Sequence, residues 1–248
     1  MKLTVVGCGD AFGSGGRLQT CYHVDHEGHQ FLIDCGATAL IGLNRQGLDP
    51  NEVATVFVSH LHGDHFSGLV WWMLHAQHVG KRKTPLNVVG PAGVEARFMA
   101  AAEILFPGST KVPRKFEMTF RELITEAPLT EGPVTVTPYV VSHPSGSTSY
   151  ALRFSLGKKT LSFTGDTEWV ETLVPAGEGA DLYIMECYAP DGPTRYHMNW
   201  KTITENLPRI GARRILLTHM SGPMLAQVET LAARPDVIIA EDGLVLRI

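Results

Sequence analysis

The stretch "VFVSHLHGDHFSGL", residues 56–69, restricts this chain more than any other feature. The run "VATVFVS" (53–59) is β-branched and apolar and reads as a buried strand. It ends in His60, His62, Asp64 and His65. Alternate residues of an extended segment point the same way, so His60 and His62 share a face. Asp64 and His65 sit where the chain turns into a helix, whose stripe is Phe66, Leu69, Val70, Met73 and Gln77, with Asp64 expected as its N-cap. Such a cluster is either a metal site or an accident, and a metal site needs partners elsewhere in the chain.

Those partners exist. His143 in "VVSHP", Asp166 in "FTGDT" and His219 in "LLTHMS" each close an apolar run that reads as a strand. Carboxyl ends of strands are where α/β-type folds expose functional side chains. The set allows two divalent ions: His60, His62 and His143 for the first, Asp64, His65 and His219 for the second, and Asp166 as a bridge. A nitrogen-rich donor set suits Zn²⁺, with Mn²⁺ or Fe²⁺ as rivals. Two dications, two carboxylates and a hydroxide leave the core net positive, which favours a phosphodiester monoanion or a developing oxyanion.

The 248 residues are 44% hydrophobic and 19% charged, which is enough apolar material for a core of two packed sheets. No linker, repeat or low-complexity tract divides them, so residues 1–248 read as one domain. The net charge of −4 excludes a general nucleic-acid coat protein. Cys8, Cys21, Cys35 and Cys187 form no CxxC pair, which fits reduced, packed thiols in a cytoplasmic protein. The first residues, "MKLTVVGCGD", are too short an apolar run for a signal peptide, and no segment is long enough to span a membrane.

Further strands are expected at 3–7, 86–90 and 134–143, the last with Pro138 at an edge or bulge, and in "DLYIMEC" and "RRILLTH". Hairpins turn at Glu27-Gly28 and Gly157-Lys158. Helices are expected behind Val94, Phe98, Ala101, Ala102 and Leu105, over 199–207, and over 223–233 with Pro223 in its first turn. Strands in two runs, each with helices, predict two sheets face to face with helices outside, an α/β (α+β) arrangement rather than a doubly wound sheet. "GCGDAFGSGG" is spaced GxGxxxG and precedes a strand, so it reads as a flexible loop bordering a site and not as a dinucleotide fingerprint. "GKRKTP" (80–85) reads as a solvated charge run at a helix end, and His23, His26, His29, His75 and His78 need no function.

With "HLHGDH", His143, Asp166 within "GDT" and His219 in this order, the chain resembles the metallo-β-lactamase superfamily. The resemblance implies an αββα four-layer sandwich. It also makes Asp34 in "LIDCG" an aspartate that orients metal ligands, although a plain strand-ending aspartate would look the same. True β-lactamases commonly have a cysteine where Asp166 stands, so antibiotic hydrolysis is not implied. "ADLYIMECYAP" resembles the segment of ribonuclease Z and its relatives that ends in a glutamate, here Glu186, and "RYHMNWKTITENL" resembles their histidine motif, here at His197. "MNW" departs from the small residues usual after that histidine.

The resemblance implies a proton relay in which His197 meets the scissile phosphate and Glu186 holds it, with Asp64 counted beside them as a catalytic group. The long tRNA-binding arm of bacterial ribonuclease Z has no room in the short segment between His143 and Asp166. The expected activity is therefore metal-dependent hydrolysis of small or cyclic phosphodiesters by metal-bound hydroxide. The alternatives are a thioesterase or lactonase on the same centre, or a non-catalytic carrier. The family often dimerises, so a homodimer is compatible with the sequence.

Overall fold

Side chains along a strand alternate between its two faces, so a strand apolar on both faces needs a core on each side. The computed structural model, which describes residues 1–231 and 234–248, shows this arrangement. β1 (Lys2–Gly7), β2 (Cys21–His26), β3 (His29–Ile33), β4 (Val53–Phe57), β5 (Leu86–Gly90) and β6 (Met118–Glu122) lie side by side in one sheet. β7 (Leu129–Glu131), β8 (Val134–Val141), β9 (Ser149–Leu156), β10 (Lys159–Phe163), β11 (Leu182–Glu186), β12 (Ile215–Thr218) and β13 (Val237–Ile239) form the second. β14 (Val245–Arg247) returns to pair antiparallel with β1, Lys2 opposite Arg247.

One core lies between the sheets. Leu3 and Val5 of β1, Phe31 and Ile33 of β3, and Phe57 of β4 meet Phe154 of β9, Phe163 of β10 and Ile184 of β11 there. The alternate residues Val6, Leu32, Val56 and Val88 face a second core under α1 (Ala39–Arg45), α3 (Gly68–His78) and α4 (Val94–Leu105). Tyr183, Met185, Ile215 and Leu217 face a third under α5 (Leu173–Gly177) and α6 (Trp200–Ile210). The layers are therefore αββα, as expected. Among the described residues, no helix is long and apolar enough to cross a membrane.

Each sheet has an antiparallel half and a parallel half. β3 to β6 run parallel, as do β10 to β13, and helical crossovers join most of these strands. The parallel strands thus release their loops at one common end. The hairpins turn where expected, with Glu27, Gly28 and Gly157 at positive φ. Pro138 pairs with Leu152 on one side and lies beyond the reach of short β7 on the other, the edge-like place its missing N–H allows.

Four local expectations need correction. Asp64 is not an N-cap: the helix behind His60 is split into α2 (Gly63–Phe66) and α3, the N-cap position is His62, and the Asp64 carboxylate turns to His65 Nε2 at 3.2 Å. The helix expected over 223–233 is instead α7 (Gly222–Leu225) and α8 (Val228–Leu231). The Gln227 N–H folds back to the Met224 carbonyl at 3.0 Å and ends the first of them, while residues 232 and 233 lie outside the described residues. Of the three cations in "GKRKTP" only the two lysines are solvated. Arg82 is buried and donates to the carbonyls of Pro50, Asn51, Val53, Thr84 and Pro85, a structural tie between two loops. The glycine-rich loop is not slack: Asp10 accepts from Phe12 N, Ser14 N and Ser14 Oγ at 3.2, 2.9 and 2.7 Å.

The start of α3 lies against the loop after β3. Gly68 N–H donates to the Cys35 carbonyl at 2.9 Å, and a Cβ on Gly68 would meet the Gly36 carbonyl oxygen at 2.1 Å. Backbone cannot yield there without moving the segment that carries His65. Gly68→Ala is expected to lower stability by about 2–3 kcal/mol through overpacking, read as a lower urea midpoint at unchanged slope. An unchanged midpoint would show that this approach tolerates a methyl group.

Candidate metal centre

The loops at the common strand end bring all seven expected donors together. The ligating atoms of His60, His62 and His143 lie within 4.8 Å of one another, and so do those of Asp64, His65, Asp166 and His219. Asp166 sits between the two groups. Its Oδ2 is 3.8 Å from His60 Nε2, 3.2 Å from His65 Nε2, 3.9 Å from His143 Nε2 and 3.3 Å from His219 Nε2.

The orientation of the rings follows from hydrogen bonds on their far sides. Asp34, fully buried, accepts from Ser59 N at 2.7 Å, Ser59 Oγ at 2.8 Å and His65 Nδ1 at 2.7 Å. Since the Ser59 hydroxyl donates to Asp34, it accepts from His60 Nδ1 at 3.1 Å. His143 Nδ1 donates to the Tyr196 carbonyl at 2.9 Å, and its Nε2 comes within 3.0 Å of His62 Nδ1. In His60 and His143 a proton is thereby fixed on Nδ1 and the Nε2 lone pair faces the centre, while the Nδ1 bond of His65 turns its Nε2 the same way.

These groups fit divalent cations. His60 Nε2 and Asp166 Oδ1 are buried without a hydrogen-bond partner, a costly condition for polar atoms unless something else is coordinated there. Burial drives His60 well below the usual imidazole range, and it lowers His143 and His219 as well, toward the neutral form that ligates metals. At His65 burial pulls the same way but is overridden by Asp166, Asp64 and Asp34, which raise it. Burial works to raise Asp166, yet His219 and His65 hold its carboxyl well below the carboxylate range.

His197 and Glu186 stand beside the cluster. Glu186 ends β11, is fully buried, and lies 3.2 Å from His197 Nδ1 through both carboxylate oxygens; it also accepts from Thr167 N–H. Burial lifts Glu186 to about 7. Burial alone would lower His197, but the bond and charge of Glu186 raise it to about 9. The His197 ring stacks on Tyr188 at 4.8 Å and lies 5.4 Å from His219. Facing these residues is a cavity of about 430 Å³, bordered by Phe12 and Asp64 and by Tyr188. A larger cavity of about 480 Å³ between α3 and α4 is lined mainly by apolar residues such as Met73 and Phe106 and contains none of the histidine and aspartate groups described above.

With this geometry in hand, likeness to known proteins decides the family. A family model described as Anti-Pycsar protein Apyc1 matches residues 1–234. The chain belongs to that Apyc1 family. "Probable metallo-hydrolase YhfI" of Bacillus subtilis (strain 168) is 30% identical over 227 residues, covering 89% of this chain and 87% of YhfI. The crystal structure of YhfI superposes with a TM-score of 0.78 at 28% identity, over 99% of this chain and 98% of that one. The short form of human tRNase Z shares the fold, with a TM-score of 0.80 at 21% identity over 100% and 99%. Ribonuclease Z of Borrelia hermsii is 29% identical over 124 residues, which is 50% of this chain but only 37% of that enzyme. This Apyc1-family chain is thus a metal-dependent hydrolase with the metallo-β-lactamase fold.

Three contributors escaped the sequence reading: Ser59, Tyr196 and Tyr188. Ser59 had a signal, a small hydroxyl closing an apolar strand just before His60. Tyr196 had none, because it acts through its backbone carbonyl. The Asp34 network carries a prediction of its own. Removing one member of a buried hydrogen-bonded pair costs about 3–5 kcal/mol, so Asp34→Ala should lose that much in urea unfolding of the metal-free protein. A loss under about 1 kcal/mol would mean that the network does not orient the rings.

Proposed function

We propose that this chain hydrolyses small or cyclic phosphodiesters at a centre of two divalent ions, Zn²⁺ being favoured over Mn²⁺ or Fe²⁺ by the nitrogen-rich donors. His60, His62 and His143 would hold one ion, and Asp64, His65 and His219 the other, with Asp166 between them. Bound there, the ions supply Lewis-acid polarisation of phosphoryl oxygens and water activated at neutral pH. We also read residues 1–248 as one domain, since the centre draws on loops of both sheets.

The observation that carries the phosphodiester reading is the His197–Glu186 pair beside the donor cluster, at 3.2 Å. Glu186 accepts the Nδ1 proton of His197, which leaves Nε2 to hold the proton an alkoxide leaving group needs. Asp34 and Ser59 keep His60 and His65 turned inward, and Asp64, on the cavity wall, completes the carboxylate set. Limited size is supported by the two-residue turn that joins β9 to β10 between His143 and Asp166, and by a cavity of about 430 Å³, a volume suited to a small ligand. Ribonuclease Z and tRNase Z among its relatives are named for phosphodiester substrates of greater length, and no comparable arm is present among the described residues.

Loaded with Zn²⁺ or Mn²⁺, the protein should turn over bis(p-nitrophenyl) phosphate and, if cyclic phosphodiesters are its substrates, 3′,5′-cyclic nucleotides. Chelation should abolish turnover and metal replacement restore it. His60→Ala should be inactive, and His197→Ala should lose about 10²- to 10⁴-fold in kcat, the usual worth of a positioned acid. Full activity without His197, together with hydrolysis of thioesters or lactones, would move the chain to that second class.

A further inference from the structure

We infer that Glu168 is a positioning residue for this centre: its carboxylate holds Tyr196 in a left-handed backbone conformation and so aims His143 and His197 together. The inference rests on the reading of His143 as a metal ligand. Tyr196 has φ 69°, a region that a bulky side chain rarely occupies unless its surroundings impose it. Glu168 Oε1 accepts from the Tyr196 N–H at 2.7 Å, which fixes the peptide on one side of that residue. On the other side the Tyr196 carbonyl takes the Nδ1 proton of His143 at 2.9 Å, and the next residue along is His197.

Glu168 is itself well anchored. Its N–H donates to the Ser142 carbonyl at 3.1 Å, and Ser142 N–H donates to Thr167 Oγ1 at 3.0 Å. The Thr167 N–H donates to Glu186, the partner of His197. Residues 142–143, 167–168 and 196–197 are therefore cross-linked into one unit, and the Glu168 carboxylate is the side-chain tie that reaches the Tyr196 peptide directly. Arg195 lies over the Tyr196 ring at 4.6 Å, a contact that holds the side chain and leaves the peptide orientation to Glu168. Without this tie Tyr196 would relax to negative φ, turning its carbonyl away from His143 and shifting His197 from Glu186.

The strained conformation supplies a test that a merely structural role would not pass. Glycine adopts positive φ without cost, so Tyr196→Gly should make Glu168 dispensable. Zn²⁺ affinity is measured by competition with a chromophoric chelator for the wild type, Glu168→Ala, Glu168→Gln and the double variant Glu168→Ala/Tyr196→Gly, with thermal unfolding run on each. Glu168→Ala should weaken one of two Zn²⁺ sites by about 10- to 100-fold, as loss of a partner behind a metal ligand typically does. Glu168→Gln keeps an acceptor oxygen and should stay close to wild type, and the double variant should regain most of the lost affinity. The inference is overturned if Glu168→Ala binds both ions like the wild type, or if the double variant is no better than Glu168→Ala. A wild type that binds no Zn²⁺ overturns it along with the metal reading, and that outcome is visible before any variant is compared.

Discussion

Asp34 is the residue on which the centre depends. Burial pushes its carboxyl upward, toward neutrality, and an unpartnered carboxylate in that position would be too costly to keep. Two donors from Ser59 and one from His65 offset the cost. The compensation also has a geometric product: each donor is locked to a fixed oxygen, so two imidazoles are turned with Nε2 inward before any ligand arrives. The sheet makes this possible. β3 and β4 are parallel with Ile33 opposite Phe57, so Asp34 and Ser59 emerge from neighbouring strands within bonding distance.

The second dependency is between the sheets. Four donors come from the loop and the short helix α2 that follow β4, and three follow β8, β10 and β12 in the other sheet. Any slippage between the layers would therefore pull the set apart. Beneath the site, Tyr22 of β2 meets Thr218 of β12 at 2.5 Å, and Thr218 in turn reaches the Cys8 carbonyl at 3.2 Å. A buried polar contact between two apolar faces holds a register that hydrophobic packing alone, being non-directional, would leave loose. Asp34, Tyr196 and His219 all have positive φ, so three of the six non-glycine residues in that region among the described residues border the centre. Strain of this kind persists only where surrounding bonds impose it.

How much of this could be read from sequence differs by kind of interaction. The two sheets and the seven side chains that cluster at their common end were legible because each rests on a local pattern: an apolar alternation, or a histidine or aspartate closing an apolar run. The hairpins were legible for the same reason, through Gly28 and Gly157. What stayed hidden depends on distant partners. Asp64 reads as a helix cap by its local surroundings, but the cluster claims its carboxylate. Arg82 reads as a surface charge until five carbonyls from two loops converge on it. Short edge strands such as β7 and β14 exist because a neighbour offers an edge, and three residues cannot announce that by periodicity.

The donor set and the His197–Glu186 pair answer to different constraints. Gathering five imidazoles and two carboxylates in so small a space is unfavourable without cations, so the cluster is able to hold metal whatever the substrate is. Such a centre polarises a carbonyl as readily as a phosphoryl group. His197 belongs to neither of the two proposed ligand groups, although its ring also comes within 4.8 Å of the ligating atoms of His143 and Asp166, and a buried glutamate orients it. Burying a carboxylate for a histidine outside those two groups makes physical sense where a proton must be delivered beyond the metals' reach. Departure of an alkoxide from phosphorus sets that requirement, and it is why the phosphodiester reading rests on this pair and not on the metal ligands.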